Sequence, residues 1–359
     1  MAAAASIPRI RVAGSHREVG RGIGVATART LREAVAFDDV LPDGRSRAEQ
    51  LALAERYRQA TRAGTPWLVE EIDAAADGAG VDALALFAAS VEEIWSVRPS
   101  QVTGGIAVDG RCSDLVAGPP ASTDGHLWVA HTNDLSPSSG DDVVAIEWRV
   151  TGDPVVFSLG IGPWISVGWN DAGLSLTGNE LSPNDERVGV PRLLMVREQL
   201  TARTLDGAVA MALRPDRSSS YNTIFATPDG RVVNVEGSAT SAELESLDPG
   251  GRFAHTNHYA CAAMQRYEGD PDYAAQSAVR LDRARALLAE AADGSVDAAW
   301  LRAALADHAT VPSICRHPEA GGEVSTAFWC VVDVTAGDIH YGLGNPCVPG
   351  EERFTFGRR

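Results

Sequence analysis

Asp109-Gly110-Arg111-Cys112-Ser113-Asp114 lies roughly a third of the way along a chain of 359 residues. It separates a stretch that reads as helix from a longer one that reads as strands and turns. A cysteine attacks as a thiolate and needs a base nearby. The α-amino group of a cysteine at the head of a chain can be that base, because its unperturbed pKa of about 8 suits proton transfer at neutral pH. Cys112 has no such amine until the peptide bond before it is cut. The stretch therefore points to a precursor in which the Cys112 thiol attacks the Arg111 carbonyl. The resulting ester hydrolyses and leaves Cys112 as a new N-terminus. On that reading residues 1–111 are a helix-rich N-terminal chain and residues 112–359 the catalytic chain. The competing reading of Cys112 is a small buried hydrophobe.

Upstream, apolar spacing predicts a helix over Ser15–Phe37, weakened at its start by Gly20, Gly22 and Gly24. Gly20 to Gly24 is a poor dinucleotide fingerprint, since no βαβ unit surrounds it. Ser46 and Glu49 form a capping box for a helix through Ala60. Pro66 opens a helix to Gly78, and another spans Asp82–Val97. Pro99 to Gly105 then breaks the pattern.

Downstream, strands are predicted over Leu127–His131, Val143–Val150, Val155–Leu159, Trp164–Trp169 and Gly173–Thr177. Helices follow over Pro191–Leu200 and Asp206–Leu213. A hairpin joins Tyr221–Ala226 to Val232–Val235 around Pro228-Asp229-Gly230. Helices over Ala274–Ala292 and Val296–Ala309 lead to a last hairpin, Thr326–Val334 with Asp338–Tyr341. Strands in hairpin runs and helices in blocks argue for an α+β fold with antiparallel sheets and helices outside.

A net charge of −17 opposes binding to nucleic acid or an anionic membrane, both of which need clustered basic residues. The chain contains no lysine, which removes Schiff-base, P-loop and Ser-Lys chemistry. Cys112, Cys261, Cys315, Cys330 and Cys347 are odd in number and form no C-x-x-C pair, which argues against a zinc knuckle or a disulfide framework. No signal peptide or membrane span is read, and a reducing cytoplasm is the expected compartment.

Ala130-His131-Thr132-Asn133-Asp134 and Ala254-His255-Thr256-Asn257-His258-Tyr259 both place polar side chains at the end of an apolar strand, a usual location for site residues. Asp134 could orient the nucleophile's amine, and Asn257 could donate its amide to a tetrahedral oxyanion. Turn capping is the alternative for both. His131 and His255 are candidate bases for Cys112 in a Cys-His pair that needs no chain cleavage. His255 and His258 alone are weak zinc ligands. Glu236 is either a buried structural carboxylate or a site residue. Trp128, Trp164 and Trp169 could line an acyl pocket or fill the core.

Gly110-Arg111-Cys112-Ser113, Ala130 to Asp134, Gly189-Val190-Pro191, Asn234-Val235-Glu236-Gly237-Ser238, His255 to Tyr259, Ile314-Cys315-Arg316-His317-Pro318 and Gly344-Asn345-Pro346-Cys347 occur in that order. Together they resemble the acyl-coenzyme A:6-aminopenicillanic acid acyltransferase family, or isopenicillin N acyltransferases, which is related to the choloylglycine hydrolases. The resemblance implies an αββα N-terminal-nucleophile (Ntn) hydrolase sandwich, self-cleaved before its cysteine, that hydrolyses or transfers acyl groups of linear amides or thioesters. It implies Cys112 as nucleophile, Asp134 near the amine, Ser238 as a site serine and Asn257 at the oxyanion. It implies no organic cofactor or metal, and its expected partners are a small N-acyl amide or acyl thioester and the cleaved chain 1–111. Homo-oligomerisation is left open. Where the family usually has Gly before the cysteine and often Thr after it, this chain has Arg111 and Ser113. The alternatives are an uncut Cys-His amidase and an inactive, uncut protein that binds small acyl compounds.

Overall fold

The computed structural model describes residues 6–36, 44–95, 111–247, 251–318 and 324–356. The break at Pro99 to Gly105, the residues Asp109 and Gly110, and the expected helix ends Phe37 and Val97 lie outside these.

Strand β1 spans Arg9–Gly14. Ser15 then caps α1 (His16–Ala26) in a capping box with Glu18. The single helix expected from Ser15 onward is instead broken at Thr27, whose hydroxyl donates to the Ile23 carbonyl, and α2 covers Ala28–Ala34. A hydroxyl bonding four residues back competes with the helical ladder and favours such a bend. Helix α3 (Arg47–Gly64) starts at the expected Ser46–Glu49 box, and α4 (Pro66–Ala79) at the expected proline. A Cβ on Gly20 would lie 2.2 Å from the Glu71 carbonyl oxygen, and one on Gly24 2.0 Å from that of Ala75. The glycines that weaken α1 by propensity are therefore what lets it touch α4 backbone to backbone. The helix expected over Asp82–Val97 divides into α5 (Ala83–Ala89), capped by Asp82, and α6 (Glu92–Trp95).

Cys112 lies in β2 (Arg111–Ala117), followed by β3 (Trp128–Leu135), β4 (Val143–Val150), β5 (Val156–Ile161), β6 (Trp164–Asn170) and β7 (Ser175–Asn179). Helices α7 (Arg192–Gln199) and α8 (Leu205–Ala212) precede β8 (Asn222–Ala226), β9 (Val232–Gly237), β10 (Ala242–Leu247) and β11 (Arg252–His255). Helix α9 (Pro271–Glu290) and the short α10 (Ala298–Leu305) follow. Asp297 caps α10, so the helix expected from Val296 starts later. Strands β12 (Ser325–Asp333), β13 (Asp338–Leu343) and β14 (Glu352–Thr355) end the described chain.

The strands form two sheets, ordered β1-β4-β5-β6-β7-β8-β9-β10 and β11-β2-β3-β12-β13-β14. Strand β1 pairs parallel to β4, and the other strand pairs are antiparallel. Val129, Phe328, Cys330 and Val332 of the second sheet share one apolar cluster with Val143, Phe157, Leu159 and Ile224 of the first. That cluster is the layer between the sheets. Helices α9 and α10 cover the outer face of the second sheet through Leu281, Leu288 and Leu301. Helices α1, α7 and α8 cover the first through Ile23, Val196 and Ala208. The result is the four-layer αββα arrangement of an α+β fold.

Residues before Cys112 take part in the same core. Leu31, Leu68 and Phe87 belong to the inter-sheet cluster, and the whole of β1 pairs with β4 from Ala145 to Val150. Among the described residues, no helix is long and apolar enough to cross a membrane.

Candidate active site

Register places the site. Cys112 pairs with Asn133 and Asp114 with His131 across β2 and β3. Directly opposed residues share a face of the sheet and neighbours along a strand alternate. Cys112, Asp114, His131 and Asn133 therefore face the layer between the sheets, along with Val116 and Val129. Arg111 pairs in register with Asp134, and Asp134, like Ser113 and Thr132, falls on the face covered by α9. Cys112 and Asp134, both expected in the site, thus lie on opposite faces of one strand pair, either side of the Cys112 backbone.

The backbone N–H of Cys112 donates to Oδ1 of Asn257 at 2.6 Å. The same oxygen accepts from the Arg280 guanidinium at 2.8 Å, while Asn257 Nδ2 donates to the Glu180 carbonyl at 3.1 Å. These partners fix which way the amide points, because two are donors and one is an acceptor. Arg280, on α9, also donates to the Cys112 carbonyl at 2.7 Å and to Ser113 Oγ at 3.0 Å. The thiol meets Asn133, whose Nδ2 lies 3.6 Å from Sγ. Burial pushes the Cys112 thiol pKa up, against a lowering influence from His131. The resting group is a neutral thiol that needs a base.

His131 and His255 are the two histidines to weigh for that role. Burial alone would lower the His131 pKa, but the Asp114 carboxylate, 3.2 Å from Nδ1, and the nearby Cys112 thiol raise it to about 10. Part of that rise comes from the sulfur itself, so His131 and Cys112 influence each other's proton. Nε2 of His131 is buried and makes no well-aligned hydrogen bond, to the thiol or otherwise. Asp114 accepts in addition from Asn179 Nδ2 at 2.8 Å. That fixes the Asn179 oxygen as the group facing Nδ1 of His255, at 2.9 Å. The other His255 nitrogen faces Glu236 at 2.8 Å. Both nitrogens of His255 are engaged, with Asn179 and Glu236, so neither is turned to Cys112. His258 donates or accepts at Ser277 Oγ, 2.9 Å away, and burial lowers its pKa to about 4. His255 and His258 stack with ring centroids 6.4 Å apart, and their nitrogens are engaged elsewhere. Glu236 also accepts from the backbone of Ala260 and Cys261, at 3.0 Å each, so it holds the loop that carries Asn257.

Asp134 is wholly buried. Burial raises its pKa to about 6, although Arg280 and the Thr326 hydroxyl, 2.7 Å from Oδ1, act the other way. Its second carboxylate oxygen is buried without a partner. An unmatched buried acceptor is costly, and Asp134 is the strand partner of Arg111, the residue before Cys112.

The thiol opens into a cavity with about 740 Å³ of empty space, part of it continuous with solvent. Leu135, Ile161, Trp164, Ile165, Leu193 and Val196 supply its apolar wall. Glu92 and Glu180 also line it, and both pair with buried Arg192, at 2.8 and 3.0 Å. No arginine is among the lining residues described. Of the three tryptophans considered, only Trp164 lines the cavity; Trp169 lies in the inter-sheet core and Trp128 packs under α9 and α10.

Ser238 is not brought to the thiol. Its hydroxyl donates to Asp185 at 2.9 Å, and it does not line the cavity. Asn133, Asn179 and Arg280 are site residues that sequence reasoning missed. Asn133 was within reach, since it belongs to the His-Thr-Asn-Asp run; the other two depend on contacts far apart in sequence.

A family model described as acyl-coenzyme A:6-aminopenicillanic acid acyl-transferase matches residues 121–347, beginning after Cys112. Solved structures similar to the chain include the Caenorhabditis elegans N-acylethanolamine-hydrolyzing acid amidase ortholog, at 15% identity and TM-score 0.43, covering 62% of this chain and 93% of that one. A variant of the conjugated bile acid hydrolase from Clostridium perfringens matches at 11% identity and TM-score 0.47, covering 68% and 97%. Penicillin V acylase from Agrobacterium tumefaciens matches at 12% identity and TM-score 0.37, covering 68% and 86%. With more than half its length matched, the chain belongs to the acyl-coenzyme A:6-aminopenicillanic acid acyl-transferase family.

Proposed function

We propose that the protein is a precursor that cuts itself between Arg111 and Cys112, and that Cys112 then hydrolyses a small N-acyl amide or passes its acyl group to an acceptor. The observation that carries this reading is the treatment of the Cys112 nitrogen. It is buried and held at 2.6 Å by Asn257, and across the strand pair an unmatched carboxylate oxygen of Asp134 awaits a donor. An α-ammonium formed there would match it.

In the cleavage, the thiol adds to the Arg111 carbonyl and the Cys112 nitrogen leaves it with the thiol proton, giving a thioester and a free α-amine. Water then hydrolyses the thioester, releasing the Arg111 carboxylate and the thiol. In turnover the amine takes the thiol proton, and the thiolate attacks the substrate carbonyl. The amine returns the proton to the leaving nitrogen, and water or an amine acceptor removes the acyl group. The engaged nitrogens of His255 weigh against that residue as the base of an uncut Cys-His amidase. The shared core of residues before and after Cys112 would hold chains 1–111 and 112–359 together without a disulfide. All five cysteines are free, which fits a reducing cytoplasm.

Intact mass spectrometry with iodoacetamide labelling tests the reading. Active wild type should consist of chains 1–111 and 112–359, with Cys112 the fastest thiol to alkylate, and Cys112→Ala should stay whole. Full-length wild type with full activity would overturn it and restore the Cys-His alternative.

A further inference from the structure

Away from the active-site cavity, His308, Cys315, His317 and Cys347 hold their nitrogen and sulfur atoms within 4.8 Å of one another. They come from three stretches of chain. His308 follows α10, Cys315 and His317 lie in the segment before β12, and Cys347 follows β13. Nε2 of His317 lies 3.1 Å from Nε2 of His308, 3.3 Å from Sγ of Cys347 and 3.7 Å from Sγ of Cys315. The two sulfurs are 3.7 Å apart, far beyond the roughly 2.05 Å of a disulfide.

These separations match the edges of a coordination tetrahedron. Zinc bonds of about 2.3 Å to sulfur and about 2.0–2.1 Å to nitrogen set two sulfurs about 3.8 Å apart, sulfur and nitrogen about 3.6 Å, and two nitrogens about 3.3 Å. Each observed edge lies within about 0.3 Å of its counterpart. We propose that His308, Cys315, His317 and Cys347 bind one zinc ion. Two thiolates and two imidazoles suit zinc, and four protein ligands leave no open position, so the site is structural and not catalytic.

The surroundings are built to the same end. Asn345 Nδ2 lies 3.3 Å from Sγ of Cys315 and donates to the Arg316 carbonyl at 2.6 Å. An amide donor to sulfur is the outer-shell support that a ligating thiolate receives. The Cys315 amide donates to the Asp307 carbonyl at 3.1 Å, which ties its loop to the residue before His308. Arg316 stands between two ligands, and its backbone N–H donates to Thr326 Oγ1 at 3.0 Å. The Thr326 hydroxyl donates in turn to Asp134. The metal would thus pin the loop that positions Thr326 against the active-site carboxylate.

The test is metal analysis of the full chain, purified under reducing conditions without chelators, with Cys261→Ser as the control cysteine. Wild type and the control should carry about one zinc per chain, and Cys347→Ser and His308→Ala less than about 0.2 with a lower Tm. Cobalt added to metal-stripped wild type should give the visible bands of a tetrahedral ion with thiolate-to-metal charge transfer. Both variants carry their changes on exposed residues, and circular dichroism identifies any that fail to fold; the wild-type cobalt spectrum decides the matter in that case. Folded wild type that takes up neither zinc nor cobalt would overturn the proposal. So would a Cys315–Cys347 disulfide in the protein as purified, or zinc unchanged in both folded variants.

Discussion

Oδ1 of Asn257 accepts the backbone N–H of Cys112 across 145 positions of sequence. The amide of Asn257 that sequence reasoning aims at an oxyanion is turned instead toward the Glu180 carbonyl. In the proposed mechanism, Asn257 so arranged holds the nitrogen that would become the base. Asn257→Ala should therefore slow chain cleavage and shift the acidic limb of the kcat/KM–pH profile, which reports the amine. If Asn257 is the oxyanion donor, already-cleaved Asn257→Ala should instead lose about 100-fold in kcat with an unmoved profile. Cleavage time courses and pH profiles on separated mature enzyme distinguish the two.

Asn133 is the amide donor nearest the thiol. Its Nδ2 is 3.6 Å from Sγ, and its Oδ1 is buried without a partner. A donor so placed can move onto the oxygen of a carbonyl that Sγ attacks. Asn133→Ala should lower kcat by about 100-fold or more in cleaved enzyme and leave KM within about threefold. A fall in Tm with normal kcat would make Asn133 a packing residue only.

The Asp134 carboxyl gives a pH dependence with a definite sign. Its pKa is raised from 3.8 to about 6 in the folded, uncut chain. The folded state therefore holds this proton more tightly than the unfolded state does. The stabilisation is fully present below pH 3.8 and is lost as pH rises to about 6. Asparagine stays neutral throughout. In the uncleavable Cys112→Ala background, Asp134→Asn should stabilise the protein more at pH 8 than at pH 4, by a difference on the order of 3 kcal/mol. In cleaved enzyme the same substitution removes the partner of the α-ammonium and should cut activity. Urea melts at the two pH values, with an equal effect at both, would contradict the assignment.

Where apolar residues mark an element, the sequence shows it: Val143–Val150 is the expected strand to the residue. Strand β2 is harder to see because function overrides its pattern. Its inward positions include Cys112 and Asp114, so polar groups stand where a core strand would carry valines. Gly20 and Gly24 read as weak helix, and only the crossing with α4 explains them. Cys112 stands out in the sequence by its motif, and Asp134 by its place at the end of an apolar strand. Asn179 and Arg280 are not legible, because they act through contacts with residues dozens of positions away. The four side chains at His308 to Cys347 show no ligand spacing in sequence, since the fold gathers them from three loops.

The cavity makes the substrate forecast specific. Its wall is largely apolar, its two carboxylates are matched by Arg192, and none of its described lining residues is a cation. A substrate carboxylate entering it would lose water and meet no cationic partner among the described lining residues, which is costly. Neutral, apolar acyl amides and thioesters should be turned over in preference to analogues with a carboxylate on the acyl chain. Ser166 lines the same cavity and is only half-buried, so it can host a longer side chain. Ser166→Arg should shift the ratio of kcat/KM for carboxylate-bearing over neutral acyl groups upward by about tenfold, equivalent to about 1.4 kcal/mol. The ratio is the useful readout because a general loss of activity cancels in it. Wild type that prefers the charged acyl group, or a ratio unmoved in folded and cleaved Ser166→Arg, would show that the acyl chain binds elsewhere.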